Sequence, residues 1–150
     1  EIACGPQDIL VLPGGDTWLN PEHVAVLELA AQQIAADLPV AAICGATIAL
    51  ARESALNTKR HTSNDLGFLK QIAPRYTGEA LYLKQPAASD RNLITASGQG
   101  ALLFTYEILK TLKLFRADTL EAWRNLNLTN EPRYFFELLK TLETKATSSR

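Results

Sequence analysis

The sequence predicts an α/β fold, a parallel sheet with helices on both faces, and three observations predict it. Asp8-Ile9-Leu10-Val11-Leu12 is a short continuous apolar run closed by Pro13-Gly14-Gly15, the pattern of a strand buried on both sides. Val40-Ala41-Ala42-Ile43 is a second such run and ends at Cys44-Gly45. Between the two lies a stretch with helix punctuation, and strand-like and helix-like segments go on alternating down the chain. That alternation is what folds as parallel strands joined by crossover helices.

Each element has its own local warrant. Asn20-Pro21-Glu22 reads as a helix start, with Asn as cap, Pro in the first turn and an acid facing the positive end of the helix dipole. The helix should run to about Asp37, because Pro39 stops it. Ala46 to Ala51 is almost wholly apolar, as expected of a helix packed deep in a domain. Beyond Asn57 come a short strand near Arg60 to Thr62, a helix from about Asp65 to Ile72, and strands at Ala80 to Leu83 and Leu93 to Thr95. Ala101 to Leu112 reads as a strongly apolar helix. Asp118 with Glu121 reads as a capping box opening a helix through Leu126, and a last helix covers about Pro132 to Leu142. One domain is expected over residues 1–143, with a flexible Thr/Ser-rich tail at 144–150.

Composition narrows the function classes. The 150 residues are 47% apolar and 21% charged, ordinary for a globular domain large enough to need neither disulfide nor metal. A net charge of -1 gives no reason to expect nucleic acid or an anionic membrane as partner. No apolar run approaches the roughly 20 residues of a membrane span. A cytoplasmic location is the expectation, and Cys4 and Cys44 are then two reduced thiols rather than a disulfide. The chain opens with Glu1 and contains no methionine, so an N-terminal portion is expected to be missing.

The chemistry-bearing residues gather at predicted strand ends. In doubly wound sheets ligands bind just beyond the carboxyl ends of the strands. Cys44 has that position, on the sharp step from a buried strand to a helix start, flanked by the small residues Ala42, Gly45 and Ala46 that a tight nucleophile elbow needs. A thiol at a helix N-terminus meets the positive end of the dipole, which favours the thiolate. The Gly45 N–H faces the same space and could stabilise an oxyanion. Pro13-Gly14-Gly15-Asp16 also ends a strand, either as a plain turn or as a ligand-facing loop that supplies a second N–H. His61 is either the base beside a thiolate or a structural histidine at a helix start. Ser97 is a turn cap or one wall of the pocket, His23 a surface or capping residue, and Cys4 incidental.

Together these segments resemble the ThiJ/PfpI superfamily, grouped with class I glutamine amidotransferase-like domains. The matching pieces are residues 8–16, Val40-Ala41-Ala42-Ile43-Cys44-Gly45-Ala46-Thr47, Arg60-His61-Thr62-Ser63-Asn64 and residues 92–98. Glu121-Ala122-Trp123 and Tyr134-Phe135-Phe136-Glu137 resemble a bacterial subgroup described as glutamine amidotransferase-like. The resemblance implies a flavodoxin-like doubly wound sheet and a homodimer. Cys44 is then the elbow cysteine, Gly15 and Gly45 the oxyanion-hole amides, and His61 a neighbour of the thiol. It also implies a first central strand followed by a glutamate that hydrogen-bonds the cysteine, and no segment before Asp8 reads as that strand.

Two departures bear on activity. Protease-like members carry histidine directly after the cysteine, where this chain has Gly45. Glutaminases draw their histidine from a late strand, where this chain reads Thr95-Ala96-Ser97. The expected function is a Cys44-centred amidase or hydrolase acting on a small carbonyl or amide compound, without metal or other cofactor. The alternatives are a redox-responsive protein with an oxidisable Cys44, and a structural domain with an inert thiol.

Overall fold

A computed structural model describes residue 5 and residues 8–146 of the chain. Cys4, and with it any pairing of the two cysteines, lies outside the described residues. The described chain divides into two compact units, one ending at Ile108 and the other beginning at Leu109.

The first unit is built on four strands, β1 (Leu10–Leu12), β2 (Val40–Ile43), β3 (Ala87–Asp90) and β4 (Leu93–Ala96), in the order β1-β2-β4-β3. β2 pairs in parallel with β1 on one side and β4 on the other, while β3 runs antiparallel to β4. The sheet is therefore mixed rather than wholly parallel. β3 is connected to β4 by two residues, Arg91 in the left-handed region (φ 52°) and Asn92, and so short a link can only reverse the chain. The strand expected near Arg60 to Thr62 is reduced to an isolated bridge between His61 and Tyr82. Ala80 and Leu81 belong to a 3-10 turn, Glu79–Leu81, and Tyr82 makes only that bridge. Thr62 gives its N–H to the Thr95 hydroxyl (2.8 Å) rather than to a neighbouring backbone, so no ladder grows there.

Helices α1 (Val24–Ala35), α2 (Gly45–Arg52), α3 (Leu66–Ile72) and α4 (Ala101–Thr111) surround the sheet. Side-chain alternation along the strands explains why both faces are covered. Val40, Ala42 and Leu93 point into one core with Leu27, Ile34, Leu50 and Leu69 of α1, α2 and α3. Ala41, Ile94 and Ala96 point the other way, onto Phe104 and Ile108 of α4. This is the flavodoxin-like α/β arrangement. Two short 3-10 turns, Thr17–Leu19 and Pro21–His23, precede α1, so the helix proper starts four residues after Asn20, whose side chain makes no capping bond.

In the second unit, α5 (Ala117–Thr129) packs on α6 (Pro132–Ala146), joined through Asn130 in the left-handed conformation (φ 57°). Asp118 does not close a capping box: the N-cap is Arg116, whose guanidinium holds the Asp118 carboxylate at 2.7 Å. α6 continues through residues 144–146. No helix among the described residues is long and apolar enough to cross a membrane.

Candidate functional site

Cys44 stands between β2 and α2 with φ 59° and ψ −125°, a conformation that costs a non-glycine residue on the order of 1–3 kcal/mol. Its surroundings hold it there. The Cys44 N–H donates to the Ala96 carbonyl at the end of β4 (2.9 Å). Its own carbonyl accepts from the Thr47 N–H (3.1 Å) and the Thr47 hydroxyl (2.6 Å). With its single proton committed to that carbonyl, the Thr47 hydroxyl is the acceptor in its 2.7 Å bond with Ser63. The turn also demands glycine at position 45, because a Cβ there would collide with the carbonyl oxygen of Gly15.

The strained turn presents the sulfur to the loop after the His61 segment. Asn64 Nδ2 donates to Cys44 Sγ at 3.3 Å, and Asn64 Oδ1 accepts the Gly98 N–H at 2.8 Å. The second bond decides which end of the amide faces the thiol, since only an oxygen can take the Gly98 proton. Gly98 itself is close enough that a Cβ on it would stand 3.3 Å from Sγ. A cleft of about 200 Å³ opens over the sulfur. Gly15, Asp16 and Gly45 line it beside Cys44 and Asn64, and Trp18, Leu19, Ile48 and Phe68 supply its apolar wall. Trp18 is pinned by an indole N–H bond to the Pro13 carbonyl (2.7 Å) and by the ring of His23, 5.1 Å away between centroids.

The residues singled out in the sequence fall into two groups. Cys44, Gly15, Gly45 and Asp16 come together around the cleft, and Gly14 packs behind, against the Cys44 side chain. Ser97 does not line the cleft: its N–H (3.0 Å) and hydroxyl (3.4 Å) both go to the Pro86 carbonyl, which makes it the cap of the turn before α4. The structure does not join His61 to the thiol. Its ring is fully buried, with Nδ1 bonded to the Lys59 carbonyl and Nε2 to the Tyr76 hydroxyl, both at 2.7 Å. A carbonyl can only accept, so Nδ1 carries the proton and Nε2 accepts from Tyr76. Burial keeps His61 neutral by lowering its pKa. Burial also raises the Tyr76 hydroxyl to about 12, helped by the charges of Glu79 and Tyr82.

Asn64, Trp18, Ile48 and Phe68 are the site residues that residue-type reasoning passes over. Asn64 lies three positions beyond His61 in the same strand-end segment, and that position was its available signal. Phe68 follows Asn64 by four residues, just after the Asp65 cap that starts α3. No group of three or more His, Cys, Asp or Glu among the described residues could hold a metal ion.

Comparison with known proteins decides the family. Residues 1–111 match the DJ-1/PfpI family. The chain belongs to that family. Within the DJ-1/PfpI family it is 47% identical over 142 residues to the Bacillus subtilis protein named "Uncharacterized protease YoaZ", covering 95% of this chain and 68% of the relative. The crystal structure of a thiJ/pfpI family protein from Bacillus anthracis superposes with a TM-score of 0.91 at 46% identity, over 94% of this chain and 66% of that one. The DJ-1 superfamily protein Atu0886 from Agrobacterium tumefaciens superposes with a TM-score of 0.71 at 37% identity, over 82% of this chain and 65% of that one. The chain thus spans about two thirds of the length of these relatives.

Proposed function

We propose that this DJ-1/PfpI chain carries the nucleophile of an amidase- or hydrolase-type enzyme that forms a covalent Cys44 adduct with a small carbonyl or amide compound. The conformation of Cys44 carries the reading: a residue held at positive φ by bonds to Ala96 and Thr47, with its sulfur at a cleft, is a stored strain of the kind that marks functional positions. In the step envisaged, the Cys44 thiolate forms a bond to the carbonyl carbon and the carbonyl π pair moves onto oxygen. The N–H of Gly45 has no carbonyl four residues back within its helix, so it is free of an intrahelical partner. With the N–H of Gly15 it is the donor assigned to the oxyanion. For an amide, collapse of the adduct expels the amine, which takes a proton from solvent, and water then hydrolyses the thioester. The size of the cleft suits a small group, and the protease name of the Bacillus subtilis relative belongs to the same class of acyl chemistry. A homodimer in the cytoplasm, with no metal or other cofactor, completes the reading.

A second reading rests on Asn64. An amide that donates to sulfur stabilises a thiolate or a sulfinate but cannot take up a proton. This supports a redox-responsive thiol that oxidises without turnover. One experiment separates the two: a panel of small aldehydes, ketones and amides, methylglyoxal among them, is assayed with the wild type and Cys44→Ala, alongside intact mass after dilute peroxide. Turnover lost in Cys44→Ala supports the enzyme. Oxidation of Cys44 with no turnover supports the redox protein, and a thiol inert to both sinks the two readings together.

A further inference from the structure

The cleft over Cys44 is lopsided in charge. Asp16 and Cys44 are the ionisable side chains that line it, and no Lys, Arg or His among the described residues joins them. Asp16 makes no salt bridge among the described residues, whereas other exposed acids such as Glu79 and Asp118 are paired with Lys70 and Arg116. Its charge is therefore not cancelled locally. The rest of the side-chain lining is mainly apolar, with Trp18 fixed by its indole bond and Phe68 44% exposed on α3. An exposed Phe at the rim of a cleft is surface that a ligand's apolar group can cover.

From this arrangement we infer that Asp16 is a specificity-determining residue, and that the substrate is an uncharged or cationic electrophile bearing an apolar group, with carboxylate-bearing compounds disfavoured. The inference rests on Cys44 being the nucleophile and adds which electrophiles reach it. Two opposing charge effects meet in the cleft. The start of α2 presents about half a positive charge, spread over backbone N–H groups that are assigned to the reacting oxygen. Asp16 presents a whole negative charge on the lining of the cleft through which the rest of the substrate must reach the sulfur. A carboxylate outside the reacting group meets the second effect rather than the first. Because Asp16 is solvent-exposed, the discrimination is modest, equivalent to a factor of about three in rate.

Second-order alkylation rates of Cys44 by iodoacetamide and by iodoacetate provide the test. The two reagents differ in bearing a neutral amide or a carboxylate, and both displace iodide as the S–C bond forms. Rates are followed by peptide mass at Cys44 and expressed relative to a free cysteine derivative, in the wild type, Asp16→Asn and Phe68→Ala. The wild type should disfavour iodoacetate more than the free thiol does, and Asp16→Asn should relieve that bias about threefold, read as the ratio of the two rates so that any common change in thiol reactivity cancels. Phe68→Ala should leave the charge bias in place and slow N-phenylmaleimide relative to N-methylmaleimide. Alkylation with the same bias in Asp16→Asn as in the wild type overturns this inference alone. No alkylation of Cys44 by either reagent overturns the nucleophile reading and this inference with it.

Discussion

At the residue scale, the site turns on an asparagine in the place where titratable chemistry suggests a histidine. His61 is a good candidate by type, since imidazole is the common base for a thiol. It is occupied, however: both ring nitrogens are satisfied inside a cluster with Tyr76 and the Lys59 carbonyl. Asn64, with its oxygen held by the Gly98 N–H, has its donor end left for Cys44. A hydrogen bond to an ionised group is worth about 1.5–3 kcal/mol when sheltered and less when exposed, as this one is. Asn64→Ala should therefore slow Cys44 alkylation near neutral pH by about five- to tenfold, with unfolding midpoints nearly unchanged. Asn64→Asp should slow it further, because it puts a negative charge against the thiolate and cannot donate when ionised. Alkylation at wild-type speed in both variants would show that the 3.3 Å contact does not stabilise the thiolate.

At the scale of elements, α3 is what couples the site to a local sequence signal. Asp65 caps the helix, its carboxylate accepting the Phe68 N–H at 2.7 Å, and the preceding residue is Asn64. The cap thus fixes where the strand-end segment stops and where the aromatic wall begins. Asp65→Ala should destabilise the fold by about 1 kcal/mol in urea titrations, and should lower Cys44 alkylation as well because Phe68 and Asn64 both border this turn. Loss of stability with unaltered alkylation would detach the cap from the site. This helix start was legible from Asp65, and so were the apolar runs that became β1, β2 and β4, but β1 is not buried on both sides as its run suggests: it lies at the edge of the described sheet and its Val11 is 42% exposed. β3 was not legible: Ala87-Ala88-Ser89-Asp90 has no apolar run, because it is an edge strand whose Ser89 bonds Glu107 instead of filling a core. Arg60 to Thr62 failed in the opposite sense, its backbone being taken up by side chains such as Thr95 and Asp90. The thiol and its glycines could be read from turn chemistry. The Asn64–Gly98 bond could not, since it spans 34 positions and depends on how two loops meet.

At the scale of the whole molecule, the buried His61 cluster is a source of pH-dependent stability. His61 is held neutral in the folded chain, its pKa lowered by burial from an ordinary 6.5. The unfolded chain takes up that proton first as pH falls. The stabilisation is therefore complete above about 6.5 and is lost as pH falls through the folded value. Tyr76 behaves in the opposite direction: with its folded pKa raised from 10.0 to about 12, its contribution is complete below 10.0 and is lost as pH rises through about 12. Urea midpoints should accordingly form a plateau between about pH 6.5 and 10, with a fall on each side. His61→Gln should lower the plateau by about 1–3 kcal/mol, the cost of leaving buried partners unsatisfied, and should flatten the decline that begins below about pH 6.5. Tyr76→Phe should flatten the alkaline decline instead. The cluster also braces the segment that ends in Asn64, because Tyr82, stacked edge-on against His61, donates its hydroxyl to the Ser63 carbonyl at 3.2 Å. Protonating His61 would reverse its bond with Tyr76, whose hydroxyl oxygen would then accept, and would put a charge into the buried cluster against Tyr82, weakening the brace on Ser63 and Asn64. Cys44 alkylation in Asn64→Ala should then be less sensitive to acid than in the wild type once thiolate fractions are matched. Equal sensitivity would confine His61 to stability alone.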